Sequence, residues 1–107
     1  MRPEAVIQKN IIEYLRMREW FVKPTHGNMY QQGFPDLFCC HSDFGHRWVE
    51  VKVMPYGRFT PAQLTTFPKL CAHGSGVWVM VAATAAEYEK LRKRPNWWCY
   101  TDAWRGR

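Results

Sequence analysis

The apolar pattern of this chain predicts an α/β fold, a central mixed β-sheet flanked by helices. Three observations carry that expectation. Ile7, Ile11 and Leu15 recur at helical spacing near the N-terminus. Three short β-rich runs lie between Trp20 and Val53. A capped helix start at Thr60 is followed by a wholly apolar run from Gly76 to Ala82. The predicted order is α-β-β-β-α-β-α, with one more edge strand over residues 97–101.

Each element has its own local reason. Pro3 fits the first turn of a helix and Glu4 complements the positive end of its dipole. Ile12 and Tyr14 widen the apolar stripe, and the helix is expected to end near Arg18. Glu4 and Gln8 continue the line of Ile11 and Leu15, at the edge of the buried face. Residues 20–23 read as a strand ended by Pro24, residues 26–35 as a Gly-rich polar loop, and residues 36–40 as a second strand. After a turn over 41–46, residues 47–53 read as a third strand. Val49, Val51 and Val53 take one face, leaving Trp48, Glu50 and Lys52 on the other. Thr60-Pro61-Ala62-Gln63 has the form of a capping box with proline at the first helical position. That helix should run to about Ala72 and stop at Gly74. The apolar strand over 76–82 suits a sheet covered on both faces. A charged helix then runs from Thr84 or Ala85 to Lys93, ended by Pro95.

The chain has 107 residues, the size of a single domain (1–107), and 47% apolar residues, enough for a core. Its net charge of +6 favours a polyanionic partner. No apolar run approaches the roughly 20 residues that span a bilayer, so no membrane role is expected. The N-terminus lacks the apolar core of a secretory signal. Cys39, Cys40, Cys71 and Cys99 contain no Cys-x-x-Cys and are expected to be reduced thiols of a cytoplasmic protein.

The chemistry is concentrated in Gly33-Phe34-Pro35-Asp36-Leu37 and Val49-Glu50-Val51-Lys52. Alone, Asp36 is a loop residue capping backbone amides, and Glu50 with Lys52 is an ordinary solvated pair. Adjacent strands change that: two carboxylates brought together can share a hard cation, with Glu4 as a third acid. Lys52 beside them can orient or deprotonate a water, or stabilise charge on a phosphate.

These segments resemble the PD-(D/E)xK nuclease superfamily and, within it, the virus-type replication-repair nuclease (VRR-NUC) domain. Glu4 with Ile7-Gln8, the Asp36 segment, Glu50-Val51-Lys52 and Gly57-Arg58-Phe59-Thr60-Pro61-Ala62-Gln63 occur in that family's order. The resemblance covers about residues 3–83. It implies a restriction-endonuclease-like fold with an αβββαβ core, acting as a nuclease on DNA with Mg2+ or Mn2+ and no organic cofactor. It implies Asp36, Glu50 and the Val51 carbonyl as metal ligands, Glu4 as a direct or water-mediated one, and Lys52 as the catalytic lysine. It implies a supporting role for Gln63, beside its local role in the capping box. The expected mechanism is direct attack of water on phosphorus, since no Ser, Tyr or His sits in a familiar nucleophile motif. Of the four histidines, His26 alone precedes the Asp36 segment closely.

Expected DNA contacts are Lys9, Arg16, Tyr56 and Arg58, with Lys23, Asn28, Tyr30, Gln31 and Arg47 as further candidates. The run from Lys90 to Arg94 reads as a solvated helix end before it reads as a DNA stripe. Stand-alone domains of the family resemble phage-encoded junction-processing enzymes. The leading expectation is therefore a homodimeric, structure-specific endonuclease of the Holliday-junction resolvase type. Tail tryptophans such as Trp97 and Trp98 would serve either the dimer or the core. The alternatives are a flap, nicking or nonspecific nuclease, and a non-catalytic DNA-binding module.

Overall fold

A computed structural model describes residues 3–25, 33–54 and 58–100, the side chain of residue 100 excepted. The elements are α1 (Pro3–Arg16), β1 (Phe21–Pro24), β2 (Leu37–His41), β3 (Gly45–Val51), α2 (Pro61–Ala72), β4 (Val77–Met80) and α3 (Ala85–Glu89). Two 3-10 turns follow, Lys90–Arg92 and Trp97–Tyr100. The sheet runs β1-β2-β3-β4, antiparallel except for the parallel β3–β4 pair. A helix, α2, makes the crossover that parallel pairing requires. This is the mixed α/β architecture that the pattern predicts. No helix among the described residues is long and apolar enough to cross a membrane.

Alternation along β3 and β4 divides the core into two. Val49, Val51, Trp78 and Met80 meet Ile11 and Leu15 of α1, together with Val22, Leu37 and Cys39. Val77 and Val79 face the other way, onto Phe59, Phe67 and Trp97. Glu50 pairs with Val79 in register and therefore points to the α2 side. Burial in this apolar layer pushes the Cys39 thiol up to about 12, so it is an inert packing group.

Several boundaries differ from expectation for identifiable reasons. The amide of Trp20 bonds the Leu15 carbonyl and that of Glu19 bonds Arg16, with Glu19 left-handed at φ 69°. This six-to-one closure ends α1 and turns the chain before β1. β3 ends at Val51, and the Lys52 amide makes the last bond of the pair, to Met80. The third helix is shorter than predicted and tightens into a 3-10 turn at Lys90. No edge strand forms over 97–100. Asn96 occupies the free edge of β4 instead, donating its amide to Val77 and accepting the Val79 amide on its side chain at 2.7 Å. The edge is thereby already used, and the chain turns into a 3-10 conformation that sends Trp97 into the core.

Candidate active site

Asp36 lies at the entry to β2, and both flanks of its backbone are fixed. Gly33 adopts φ 82°, and a Cβ there would stand 2.5 Å from the Ala62 carbonyl oxygen. Only glycine lets this segment lie against α2. On the other flank the Thr25 amide donates to the Asp36 carbonyl at 2.8 Å, and the Thr25 hydroxyl lies 2.6 Å from the Pro35 carbonyl. Asp36 Oδ2 accepts the Val51 amide at 2.8 Å, which draws the carboxyl to the end of β3. Sequence reasoning missed Thr25. Its signal is its place directly after β1, where the register of Pro24 against Leu37 sets it opposite Asp36.

Glu50 is 2% exposed and Lys52 7%. Glu50 Oε2 accepts Gln63 Nε2 at 2.8 Å and pairs with Lys52 Nζ at 3.0 Å. Lys52 Nζ also donates to the Arg58 carbonyl at 2.6 Å and to Gln63 Oε1 at 3.1 Å, so its three donors are all engaged. The Phe59 ring lies beside the ammonium, its centroid 5.1 Å away. Gln63 caps α2 and also contacts Glu50. Its Oε1 accepts the Thr60 amide at 3.0 Å and its own amide donates to Thr60 Oγ1, completing the capping box, while Nε2 holds Glu50. Two donors on one side of the amide and a carboxylate on the other dictate its orientation.

Glu50 Oε1, in contrast, is buried with no hydrogen-bond partner among the described residues. Burial raises the Glu50 carboxyl to about 8, and the charge of Asp36 pushes the same way; Lys52 and Gln63 pull down without cancelling them. The ion pair with Lys52 and the raised carboxyl thus oppose each other, and desolvation wins. Burial also raises Asp36. The Val51 amide, its contact with Glu50 and the charge of Lys52 offset part of that, and the charge of Glu4 adds to it. Two neighbouring carboxyls short of positive charge, one with a buried orphan oxygen, have the donor chemistry of a hard divalent-cation site.

The third acid stands apart. Glu4 is exposed on the first turn of α1 and reaches Asp36 through its charge. Among the described residues no group of three His, Cys, Asp or Glu side chains is spaced to hold a metal ion. The geometry brings together Asp36, Glu50, Lys52, Gln63 and the Val51 peptide.

The expected DNA contacts are dispersed. Lys9 and Arg16 border a shallow depression of about 410 Å³ along α1, together with Gln8 and Glu13. Arg16 donates to the Val22 carbonyl at 2.9 Å and so ties α1 to β1. Arg47 bonds the Leu91 carbonyl at 2.9 Å and lies over the Trp78 ring, a packing role. Arg58 is exposed and offers its carbonyl to Lys52. Tyr56, His26, Asn28, Tyr30 and Gln31 lie outside the described residues. His41 packs on Trp20 and Phe44, His46 on Phe38, and His73 closes α2, all by contacts outside the carboxylate cluster.

A solved structure described as a VRR_NUC domain has the same fold. It superposes with a TM-score of 0.69 at 21% identity, covering 83% of this chain and 94% of that one. No family model matches the chain. No curated protein matches it either.

Proposed function

We propose that this chain is a metal-dependent endonuclease that hydrolyses DNA phosphodiester bonds. Asp36, Glu50 and the Val51 carbonyl would hold a Mg2+ or Mn2+ ion, with Glu4 completing the set directly or through water. When bound, such an ion supplies a Lewis acid that offsets phosphate charge and lowers the pKa of water. The observation that carries the reading is the asymmetry of Glu50: Oε2 is clamped by Lys52 and Gln63, and Oε1 is buried without a donor. A buried carboxyl oxygen without a donor calls for an ion, a water or a catalytic role to explain it. The likeness to the VRR_NUC domain structure points the same way.

The chain's own residues divide the work. Lys52 and Gln63 fix the Glu50 carboxylate, and Lys52 places a positive charge where a phosphate develops negative charge. Thr25 and the Val51 amide fix Asp36. With the Lys52 donors all engaged, a proton released by the attacking water goes to solvent or to the phosphate. Arg58 and Tyr56 follow Lys52 in the chain and would meet the DNA backbone, with Lys9 and Arg16 farther out.

The finer reading is a cytoplasmic, single-domain, phage-type Holliday-junction resolvase acting as a homodimer, because symmetric cuts need two sites on a two-fold axis. Exposed Phe21 and Phe34, beside Phe38 and Trp48, support a second copy on that part of the sheet. Junction, flap, nicked and linear duplex substrates with Mg2+ or Mn2+ test both levels. Paired cuts in the junction support the resolvase. Equal cutting of linear duplex leaves a nonspecific or nicking nuclease. DNA binding without cutting of any substrate would reduce the chain to a binding module.

A further inference from the structure

The segment between α3 and the last 3-10 turn is clamped to the free edge of β4. Asn96 bonds Val77 and Val79, and the Trp78 indole donates to the Lys93 carbonyl at 3.1 Å. Gly76 accepts the Pro95 ring so closely that a Cβ there would stand 2.3 Å from Pro95 Cγ. The next turn is anchored too, since Trp97 fills the core beside Phe59 and Phe67 and meets Trp98 edge to face. Lys93, Arg94 and Trp98 are therefore presented on a rigid frame.

What this frame presents is suited to a ligand. Together with Lys90, Pro95, Asn96 and Cys99 these residues line an open groove of about 450 Å³. Two of the cations in the neighbouring run have acid partners: Lys90 pairs with Glu87 and Arg92 with Glu89. Lys93 and Arg94 have none among the described residues. The Trp98 side chain next to them is 49% exposed. Two cations with no acid partner among the described residues, beside a half-exposed indole, match a phosphate backbone next to a base free to stack. The location also fits. Glu50 faces Val79 across one strand spacing and Asn96 lies one spacing beyond, so the frame begins about 10 Å from the Glu50 backbone.

We propose that this groove binds an unpaired strand of DNA, with Lys93 and Arg94 on its phosphates and Trp98 stacked on a base. The proposal rests on the reading of the chain as a DNA-processing enzyme and adds to it a preference for substrates with a single-stranded arm.

The test is fluorescence anisotropy of the full chain with a labelled oligo-dT strand and a blunt duplex, in EDTA so that nothing is cut. Trp98→Ala should weaken oligo-dT binding about tenfold, as loss of one stacked base does, and leave duplex binding unchanged. Trp98→Phe should keep most of the affinity. Lys93→Ala/Arg94→Ala should lower the slope of log affinity against log salt by about 1.4, two phosphate contacts on a single strand. The idea is overturned if Trp98→Ala binds oligo-dT like wild type, or weakens strand and duplex alike. It is equally overturned if Trp98→Phe is as weak as Trp98→Ala, or if the double variant leaves the salt slope unchanged. A wild type that binds the strand here but cuts no DNA with Mg2+ or Mn2+ would sink the nuclease reading alone. Cutting with variant-insensitive binding would sink the groove alone.

Discussion

Two Glu–Lys pairs in this molecule differ in one respect that separates structure from chemistry. Glu87 is saturated: Oε1 accepts the Val81 amide at 2.9 Å and Oε2 pairs with Lys90. Glu50 has two donors crowded on Oε2 and none on Oε1, and its carboxyl is raised to about 8. The first carboxylate completes a fold contact. The second is held in place and left short of positive charge beside Asp36, an arrangement that costs stability by itself and has the donor chemistry of a cation site. A third pair, Glu89 with Arg92, is half exposed on both sides and serves as a solvated reference.

The largest expected effect breaks the Glu50 side of the comparison. Glu50→Gln and Lys52→Ala should each lower cleavage by about 100- to 1,000-fold or more, the scale of removing a preorganised electrostatic group. Plasmid relaxation and junction cutting measure it, and wild-type rates in either variant would remove the site assignment. Gln63→Ala comes next, with a loss of about 10- to 100-fold in cation affinity or rate, because it frees Glu50 to rotate. It also removes half of the α2 capping box, so thermal unfolding should register about 1 kcal/mol as well.

A pH series sharpens the same contrast. A carboxyl raised from 4.5 to about 8 in the fold holds a proton that the unfolded chain has released. Stability without divalent cation should therefore fall as pH rises from about 4.5 to about 8 and level off beyond. Glu50→Gln should flatten that slope, and added Mg2+ should oppose it at the alkaline end. A wild-type profile that is flat across this range would contradict the buried-charge account.

The smallest effects belong to the saturated and solvated pairs. Glu87→Ala strands the Val81 amide and should cost about 1 kcal/mol, read from denaturant unfolding, with cleavage unchanged. Glu89→Ala should shift stability by less than about 0.5 kcal/mol. Loss of cleavage in Glu87→Ala would show that burial and saturation do not separate the two pairs.

Legibility in the sequence followed the range of the interactions. The Thr60–Gln63 cap is local, and α2 begins where its residues require. The alternation Val49, Glu50, Val51 put Glu50 on the face opposite the valines, and β3 keeps it there. What depends on distant partners was hidden. Nothing near Gln63 announces that its free Nε2 reaches Glu50, and the grip of Thr25 on Asp36 follows only from the β1–β2 register. Nor does their charge announce that Arg16 and Arg47 donate to the Val22 and Leu91 carbonyls. Residues 97–100 have strand-like composition, yet Asn96 had already taken the edge of β4.

Calorimetric titration of the cation-free protein with Mn2+ near pH 7.5, in buffers of different ionisation enthalpy, tests the central claim most directly. The carboxylate pair should bind one ion or more and release up to about one proton, since Glu50 must give up its own. Glu50→Gln should bind at least tenfold more weakly with that release abolished. Mn2+ binding that is absent in the wild type, or identical in strength and proton release in Glu50→Gln, would contradict it.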